Sequence, residues 1–347
     1  MRKISDIFNQ NTKPFIIAEL SGNHNNSLNH CMRSIEAAAD CGVDAIKFQT
    51  YKASSLTIDC SNRDFLITDT KSPWYGKKLY NLYKIGSTPW EWHKKLFDKA
   101  KKCGLIAFST PFDLQSFLFL KKLSPPCYKI SSFENTFHFL IKKVSKTKKP
   151  IIISTGLASK KEIEESVKIA RKNGASKIVL LKCSSNYPAQ PEDLNLRTMH
   201  QMKKKFKCEI GFSDHTLGIG SSLAAISLGA RVIEKHFTLD KKIKTIDSSF
   251  SLEPKEMKLL VENSKIAWQS LGKISYSLSK EELNSKKFKR SLYFIKKMKK
   301  NETISHLHIR AIRPGYGLPT KYYNQLIGKK VKMSVKKGTA VSLAHVK

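Results

Sequence analysis

"PIIISTGLASKKEIEESVKIARKNGASKIVLLKC", residues 150–183, holds one full cycle of the pattern on which most of this chain is built. PIIIST (150–155) is a short apolar, β-branched run that predicts a buried strand. SKKEIEESVKIARKNG then carries apolar residues at helical spacing and closes on a glycine, as a helix C-terminus often does. KIVLLKC (177–183) returns to the strand pattern. Strand, helix and strand in that order predict a parallel βαβ unit.

Working outward, the same cycle recurs. Strands are expected at FIIAEL (15–20), AIKFQT (45–50), LIAFST (105–110), CYKISS (127–132), EIGFSD (209–214) and RVIEKHF (231–237). Helical segments such as SLNHCMRSIEAAADCG and GIGSSLAAISLGA lie between them. Eight such strands in about 240 residues predict an α/β fold of the (β/α)8 TIM-barrel type rather than an open doubly wound sheet. No G-x-G-x-x-G or P-loop pattern follows the first strand, so a dinucleotide fold has little support.

Composition narrows the class. The 347 residues are 40% hydrophobic, which suits a buried core. No segment approaches the roughly 18 apolar residues of a membrane span, and the start MRKISDIFNQNTKPF lacks an apolar signal stretch. A cytoplasmic protein without a membrane partner is expected. The seven cysteines are scattered and never spaced C-x-x-C, against both a disulfide framework and a zinc knuckle. A formal charge of +35 invites a nucleic-acid partner. The lysines, however, are spread over nearly every expected helix without an aromatic-interleaved stripe, and are read as solvated faces rather than a nucleic-acid surface.

The C-terminal mouth of such a barrel is where active sites are built. Polar residues collect at the predicted strand ends: Glu19, Lys47 and Gln49, Thr110, Lys129 with Ser131 and Ser132, Ser154, Ser185, Ser213 with His215, and Glu234 with His236. GFSDHT (211–216) and EKHFT (234–238) end the last two strands, which are neighbours in a closed barrel. His215 and His236 should therefore converge, at a spacing that suits a shared metal ion. Either one alone would be read as a structural histidine. Two lysines among several hydroxyls are equipment for a small dianion carrying phosphate and carboxylate. For any single lysine, a solvated charge at the barrel end is the plain alternative.

Beyond about residue 283 the helical cycle stops, and strand-like pieces RSLYFIKKM, VKMSVKKG and AVSLAHV surround the turn-rich RPGYGLPT. Three parts are expected: a barrel over 1–270, a polar serine-rich linker over 271–286 and a small C-terminal domain over 287–347.

These residues resemble the sialic acid synthase family, which condenses phosphoenolpyruvate with an amino sugar to make nonulosonic acids. The resemblance spans almost the whole chain through IIAELSGNHN, IKFQTY, FSTPF, YKISSFE, ISTGLAS, LLKCSSNYP, GFSDHTLG, EKHFTLD and IRPGYGLP. It implies that the last domain is an antifreeze-like (SAF, β-clip) domain, and that His215 and His236 hold a divalent cation, typically manganese, with magnesium or cobalt as alternatives. It implies that Lys47, Thr110, Lys129, Ser132, Ser154, Ser185 and Ser213 hold phosphoenolpyruvate, and that Gln49, Tyr187 and Asp247 meet the sugar. Glu19 and Glu134 match carboxylates that are candidates for proton transfer or sugar contact. Arg313 matches an arginine that one subunit extends into its partner's site, which implies a domain-swapped homodimer. Two departures stand out. LDKKIKTIDSSFSLEP lacks the glycine pair usual before the aspartate, so the loop 241–246 differs, and Ser185 stands where N-acetylneuraminate synthases have asparagine.

Two other readings compete. A Schiff-base aldolase would use Lys129, Lys47 or Lys182 as nucleophile and needs no histidine pair. A basic binding protein that has lost catalysis would have no use for Glu19, Lys129, Glu134, His215 and His236 together.

Overall fold

The computed structural model describes residues 2–70 and 72–347. The chain divides into two compact units, Met1–Gly272 and Lys273–Lys347. The first contains the eight-stranded parallel sheet that the βα cycle predicts. Its strands are β1 (Phe15–Glu19), β2 (Ala45–Thr50), β3 (Ile106–Pro111), β4 (Tyr128–Ile130), β5 (Ile151–Ser154), β6 (Ile178–Cys183), β7 (Glu209–Asp214) and β8 (Val232–His236). Hydrogen-bonded neighbours run β3-β2-β1-β8-β7-β6-β5-β4, and β4 lies beside β3 to complete the ring. The closure places Glu19 of β1 directly opposite His236 of β8.

Helices α1 (Leu28–Asp40), α2 (Ala53–Leu56), α3 (Leu79–Gly86) and α4 (His93–Lys102) follow the first two strands. Then come α5 (Leu114–Lys122), α6 (His138–Ser145), α7 (Lys160–Lys172), α8 (Thr198–Phe206), α9 (Gly220–Ser227) and α10 (Pro254–Leu271). Local chemistry starts several of them. Ser159 and Glu162 exchange side-chain bonds with each other's backbone N–H at the start of α7, and Asp113 caps α5 through the Ser116 N–H at 2.8 Å. Among the described residues no helix is long and apolar enough to cross a membrane.

The barrel's period of two separates its faces. Outward side chains such as Ile16, Ile46, Tyr128, Ile151, Leu180 and Ile233 pack beneath the helices. Inward ones form a second core, Phe15, Ile17, Phe108, Ile152, Val179 and Val232, closed from below by Ile4 and Ile7 of the N-terminal segment. That segment is fastened by buried Arg231, whose guanidinium donates to the carbonyls of Asn9 and Thr12 at 2.6 and 2.7 Å. One step further along the same inward rows the apolar residues give way to Glu19, Lys47, Lys129, Ser154, Ser213 and Glu234. Alternation alone therefore lifts a polar layer onto an apolar floor.

The second unit pairs β9 (Ser291–Phe294) with β10 (Ile309–Ile312) antiparallel, around a core that includes Leu292, Phe294, Ile304, Ile309 and Val331. Two expectations need correction here. VKMSVKKG and AVSLAHV are held by isolated bridges, Met298 to Val335 and Val331 to Val346, not by regular strands, whereas β10 lies in HIRAI, which carries no strong strand signal. The expected linker also contains helix α11 (Lys280–Ser285), because Ser279 and Glu282 form a capping box at its start. The short helix α12 (Tyr323–Leu326) completes the unit.

Candidate active site

A cavity of about 550 Å³ opens at the C-terminal ends of the strands. Its floor is an ion-pair cluster. Lys47 Nζ lies 2.6 Å from Glu19 Oε2 and 2.9 Å from Glu234 Oε2, and Lys129 Nζ lies 3.6 Å from Glu234 Oε1. Ser213 Oγ donates to Glu234 Oε1 at 3.0 Å, and Lys129 donates to Ser154 Oγ at 2.6 Å. All six side chains are buried. Charges taken out of water survive only when paired and hydrogen-bonded, so the two lysines and two carboxylates hold one another across four strands. Burial pushes the Lys47 ammonium down to about 7, against the attraction of Glu234, with Lys129 adding repulsion. Glu234 is held down at about 2, because Lys129 and Lys47 outweigh the burial that opposes its charge.

One side of the cavity offers hydroxyls. Ser132 and Ser154 line it. Ser185 and Thr110 do not, but the hydroxyl oxygens of half-buried Ser185 and buried Thr110 are shielded from solvent and unpaired among the described residues. Gly156 separates Ser132 from Ser185, and a Cβ there would press on both hydroxyls. The missing side chain leaves a small polar cradle beside Lys129.

Above the floor the His215 and His236 rings meet edge to face with centroids 5.3 Å apart. His215 Nδ1 bonds the Ser184 carbonyl at 2.7 Å, which leaves Nε2 as the nitrogen for a cation; burial opposes its charge, but Cys183 and that carbonyl hold the ring above its ordinary range, so a bound cation would displace a proton. His236 Nδ1 is buried without a hydrogen-bond partner among the described residues, and burial, then His215 and Lys47, holds the ring well below its ordinary range as a neutral imidazole. A neutral, unpaired imidazole facing a second one fits a divalent cation. Among the described residues no group of three or more His, Cys, Asp or Glu could hold a metal, so the pair would leave most positions open to water or substrate.

A buried ion pair braces both histidine strands from outside the barrel. Lys235 Nζ lies 2.9 Å from Asp214 Oδ2 and donates to the Thr216 carbonyl at 2.6 Å. Asp214 also accepts from the Thr216 N–H and hydroxyl and from Ser222 Oγ. His215 lies between Asp214 and Thr216, and His236 follows Lys235. One pair thus fixes the backbone on either side of the two rings.

Two carboxyls complete the chemistry. Ser131 donates a short hydrogen bond to Glu134 Oε2, and burial, opposed by Lys129, pushes the Glu134 carboxyl up to about 7. Asp247 accepts from the Gly22 N–H at 3.2 Å and stands 3.9 Å from His236 Nδ1. Gln49 donates to Ser21 Oγ at 2.7 Å, and Tyr187 stacks near His215 at 4.3 Å.

The site residues expected from sequence are therefore gathered into one cavity, except Thr110 and Ser185, which lie just behind its wall, and Arg313, which is exposed in the second unit. Lys182 does not line it. Glu234, in sequence only a polar strand end, joins both lysines in the structure. Its signal was its position two residues before His236, on the same inward row. Trp74, Phe250 and the apolar residues after β2 also line or back the cavity, and nothing in their local pattern announces it.

An α/β barrel with a paired-charge floor, two open imidazoles and a hydroxyl cradle defines an enzyme-type site for an anionic substrate at a barrel mouth, in a chain with a small β-rich second unit. The NeuB family matches residues 34–276 and a SAF domain matches residues 289–347. The chain belongs to the NeuB family. It is 42% identical to a pseudaminic acid synthase of Campylobacter jejuni subsp. jejuni serotype O:2 over 334 residues, 96% of this chain and 97% of that one. It is 39% identical to an N,N'-diacetyllegionaminic acid synthase of the same organism, covering 91% and 95% of the two chains. Among solved structures, the N-acetylneuraminic acid synthetase of Leptospira borgpetersenii serovar Hardjo-bovis, in complex with citrate, superposes with a TM-score of 0.71 at 32% identity, over 79% of this chain and 90% of that one.

Proposed function

We propose that this chain condenses phosphoenolpyruvate with 2,4-diacetamido-2,4,6-trideoxy-altrose and water, giving pseudaminic acid and phosphate. The observation that carries the reading is the Lys47–Glu234–Lys129 floor beneath two open imidazoles, in a chain similar over nearly its whole length to a pseudaminic acid synthase. N-acetylneuraminate and legionaminate synthesis by the same mechanism are the alternatives within the family.

Lys129 and the hydroxyls of Ser132, Ser154, Ser185, Ser213 and Thr110 would take the phosphate and Lys47 the carboxylate of phosphoenolpyruvate, as charge-assisted donors fixed before binding. Gln49, Tyr187 and Asp247 would orient the open-chain sugar. His215 and His236 would hold a divalent cation, manganese by resemblance, which when bound supplies Lewis-acid polarisation of the aldehyde. The methylene carbon of phosphoenolpyruvate attacks the aldehyde carbon with the C=C electron pair, leaving an oxocarbenium at the phosphate-bearing enol carbon, and the new alkoxide needs a proton. Glu134, with its carboxyl near 7, is protonated often enough to give one and basic enough to take one back from the water that adds at the former enol carbon. The hemiketal then loses its hydroxyl proton as the C–O bond to phosphate breaks, leaving the ketone. Glu19, fixed by Lys47 and the Ser21 N–H at 2.9 Å, keeps the floor charged and aligned.

Phosphate release from phosphoenolpyruvate tests this, with EDTA or added manganese, offering the altrose sugar, its manno isomer and N-acetylmannosamine in parallel. Metal-dependent release with the altrose sugar alone is expected, and loss of it in His236→Ala without loss of fold. Release with another sugar overturns the substrate. The depressed Lys47 supports one second reading, a Schiff-base aldolase, which borohydride trapping of a Lys47 adduct in EDTA would establish. We also propose, on the resemblance, that Arg313 of the partner subunit reaches the mouth of each site in a domain-swapped homodimer.

A further inference from the structure

The cavity's polar groups come mostly from the strand ends and the loops just after them, but the wall contributed after β2 is largely apolar, with the hydroxyls of Tyr51 and Tyr83 as its polar side-chain atoms. Leu79, Leu82, Tyr83 and Gly86 stand at i, i+3, i+4 and i+7, so a single face of α3 is turned to the cavity. Ile67 and Trp74, from the segment before α3, line it as well. Trp74 presents no spare polar atom, since its indole N–H donates to the Ile246 carbonyl at 3.0 Å. Ile246 itself is wedged between two glycines. A Cβ at Gly22 would lie 3.2 Å from its Cβ, and one at Gly86 would lie 3.0 Å from its Cδ1. Those two positions lack side chains where Ile246 enters.

The wall begins one ring beyond the histidines. Trp74 lies tilted 5.7 Å from Tyr187, which is 4.3 Å from His215, and packs 6.5 Å from Phe250, which is 5.0 Å from His236. A six-carbon sugar whose aldehyde lies at the imidazoles must send its far end outward among these loops.

We propose that the Ile67–Trp74–Leu79–Leu82–Ile246 wall is the specificity element for carbon 6 of the acceptor, seating a methyl group and disfavouring a hydroxymethyl or phosphorylated one. This rests on the condensing reaction proposed above. A hydroxyl pressed against these five side chains gives up water, and none of the five offers it a partner, while a phosphate would give up more. Discrimination by an apolar pocket against an added hydroxyl is typically about 10²-fold.

The test uses two pairs of acceptors, 2,4-diacetamido sugars of the altro and manno series, each in 6-deoxy and 6-hydroxy form. Phosphate release gives kcat/KM, and calorimetric titration of each sugar into the phosphoenolpyruvate-loaded protein in EDTA, where the condensation is not expected to run, reads the same preference without turnover. Wild type should favour the 6-deoxy member by roughly 10²-fold. Leu79→Asn, and independently Ile67→Asn in the preceding segment, should cut that ratio about tenfold, by weakening the 6-deoxy sugar and admitting the 6-hydroxy one. Leu79→Met should keep it. Equal use of both members of a pair by wild type, or an unchanged ratio in both asparagine variants, overturns the wall. Turnover of the manno pair alone with the 6-deoxy preference intact overturns the altrose assignment and leaves the wall standing.

Discussion

Replacing Lys235 by methionine keeps most of the side-chain volume and removes one charge from a pair that is wholly shielded from solvent. Asp214 would keep three donors, the Thr216 N–H and hydroxyl at 2.8 Å each and Ser222 Oγ at 2.6 Å, so its stranded charge is partly compensated. That puts the broken pair at the lower end of the usual cost, about 3 kcal/mol. The Thr216 carbonyl also loses its 2.6 Å donor, which adds about 1 kcal/mol. A loss of about 4 kcal/mol is expected. Adding Asp214→Asn to Lys235→Met should recover about half of it, because a neutral amide keeps acceptors for Thr216 and leaves no unpaired charge. Urea unfolding followed by tryptophan fluorescence is a clean assay, since all four tryptophans, Trp74, Trp90, Trp92 and Trp268, belong to the first unit. Below the transition, Lys235→Met should raise the metal concentration needed for half-maximal phosphate release, as the backbone around His215 and His236 loosens. A loss under about 1 kcal/mol, or a double variant no more stable than the single one, would refute the bracing role.

Three further outcomes are expected. Burial holds the Glu134 carboxyl at about 7, above its ordinary 4.5, so the folded state binds this proton more tightly than the unfolded chain. The stability it supplies is complete below 4.5 and lost as pH rises through 7, of order 3 kcal/mol, and Glu134→Gln should flatten urea midpoints across that window and remove the rate optimum near neutrality. Asn23 donates to the Phe237 carbonyl and Ser251 Oγ at 2.9 and 2.8 Å and accepts from Thr245 Oγ1 at 2.6 Å, tying the loop after β1 to the loop that carries Asp247. Asn23→Ala should cost about 1–3 kcal/mol and raise the KM for the sugar well above any change in KM for phosphoenolpyruvate. Finally, Arg313→Ala and His236→Ala, each inactive alone, should recover roughly a quarter of wild-type phosphate release when unfolded together and refolded as a mixture; no recovery would remove Arg313 from the partner's site.

The sequence alone determined the barrel and much of its mouth. Strand and helix periods are local properties of side chains a few residues apart, and in a parallel barrel they carry their own geometry. Once β7 and β8 are neighbours, His215 and His236 must share a rim, and residues two apart on one strand must share a face. What a period does not encode is which opposite charges meet across the ring. Lys47 could have been a solvated end of β2; only closure of β1 on β8 brings it between Glu19 and Glu234, and those contacts span up to 187 positions in sequence, so neighbouring residue types carry no trace of them. The same holds for Arg231, which grips carbonyls at the far N-terminus, and for the apolar wall, where Trp74 reaches Ile246 across 172 residues. In the second unit, isolated bridges replace the longer ladders that alternation suggested. Desolvation made the remaining decisions. The neutral state of His236 and the raised carboxyl of Glu134 arise from burial, which exists only once the tertiary structure has closed over them.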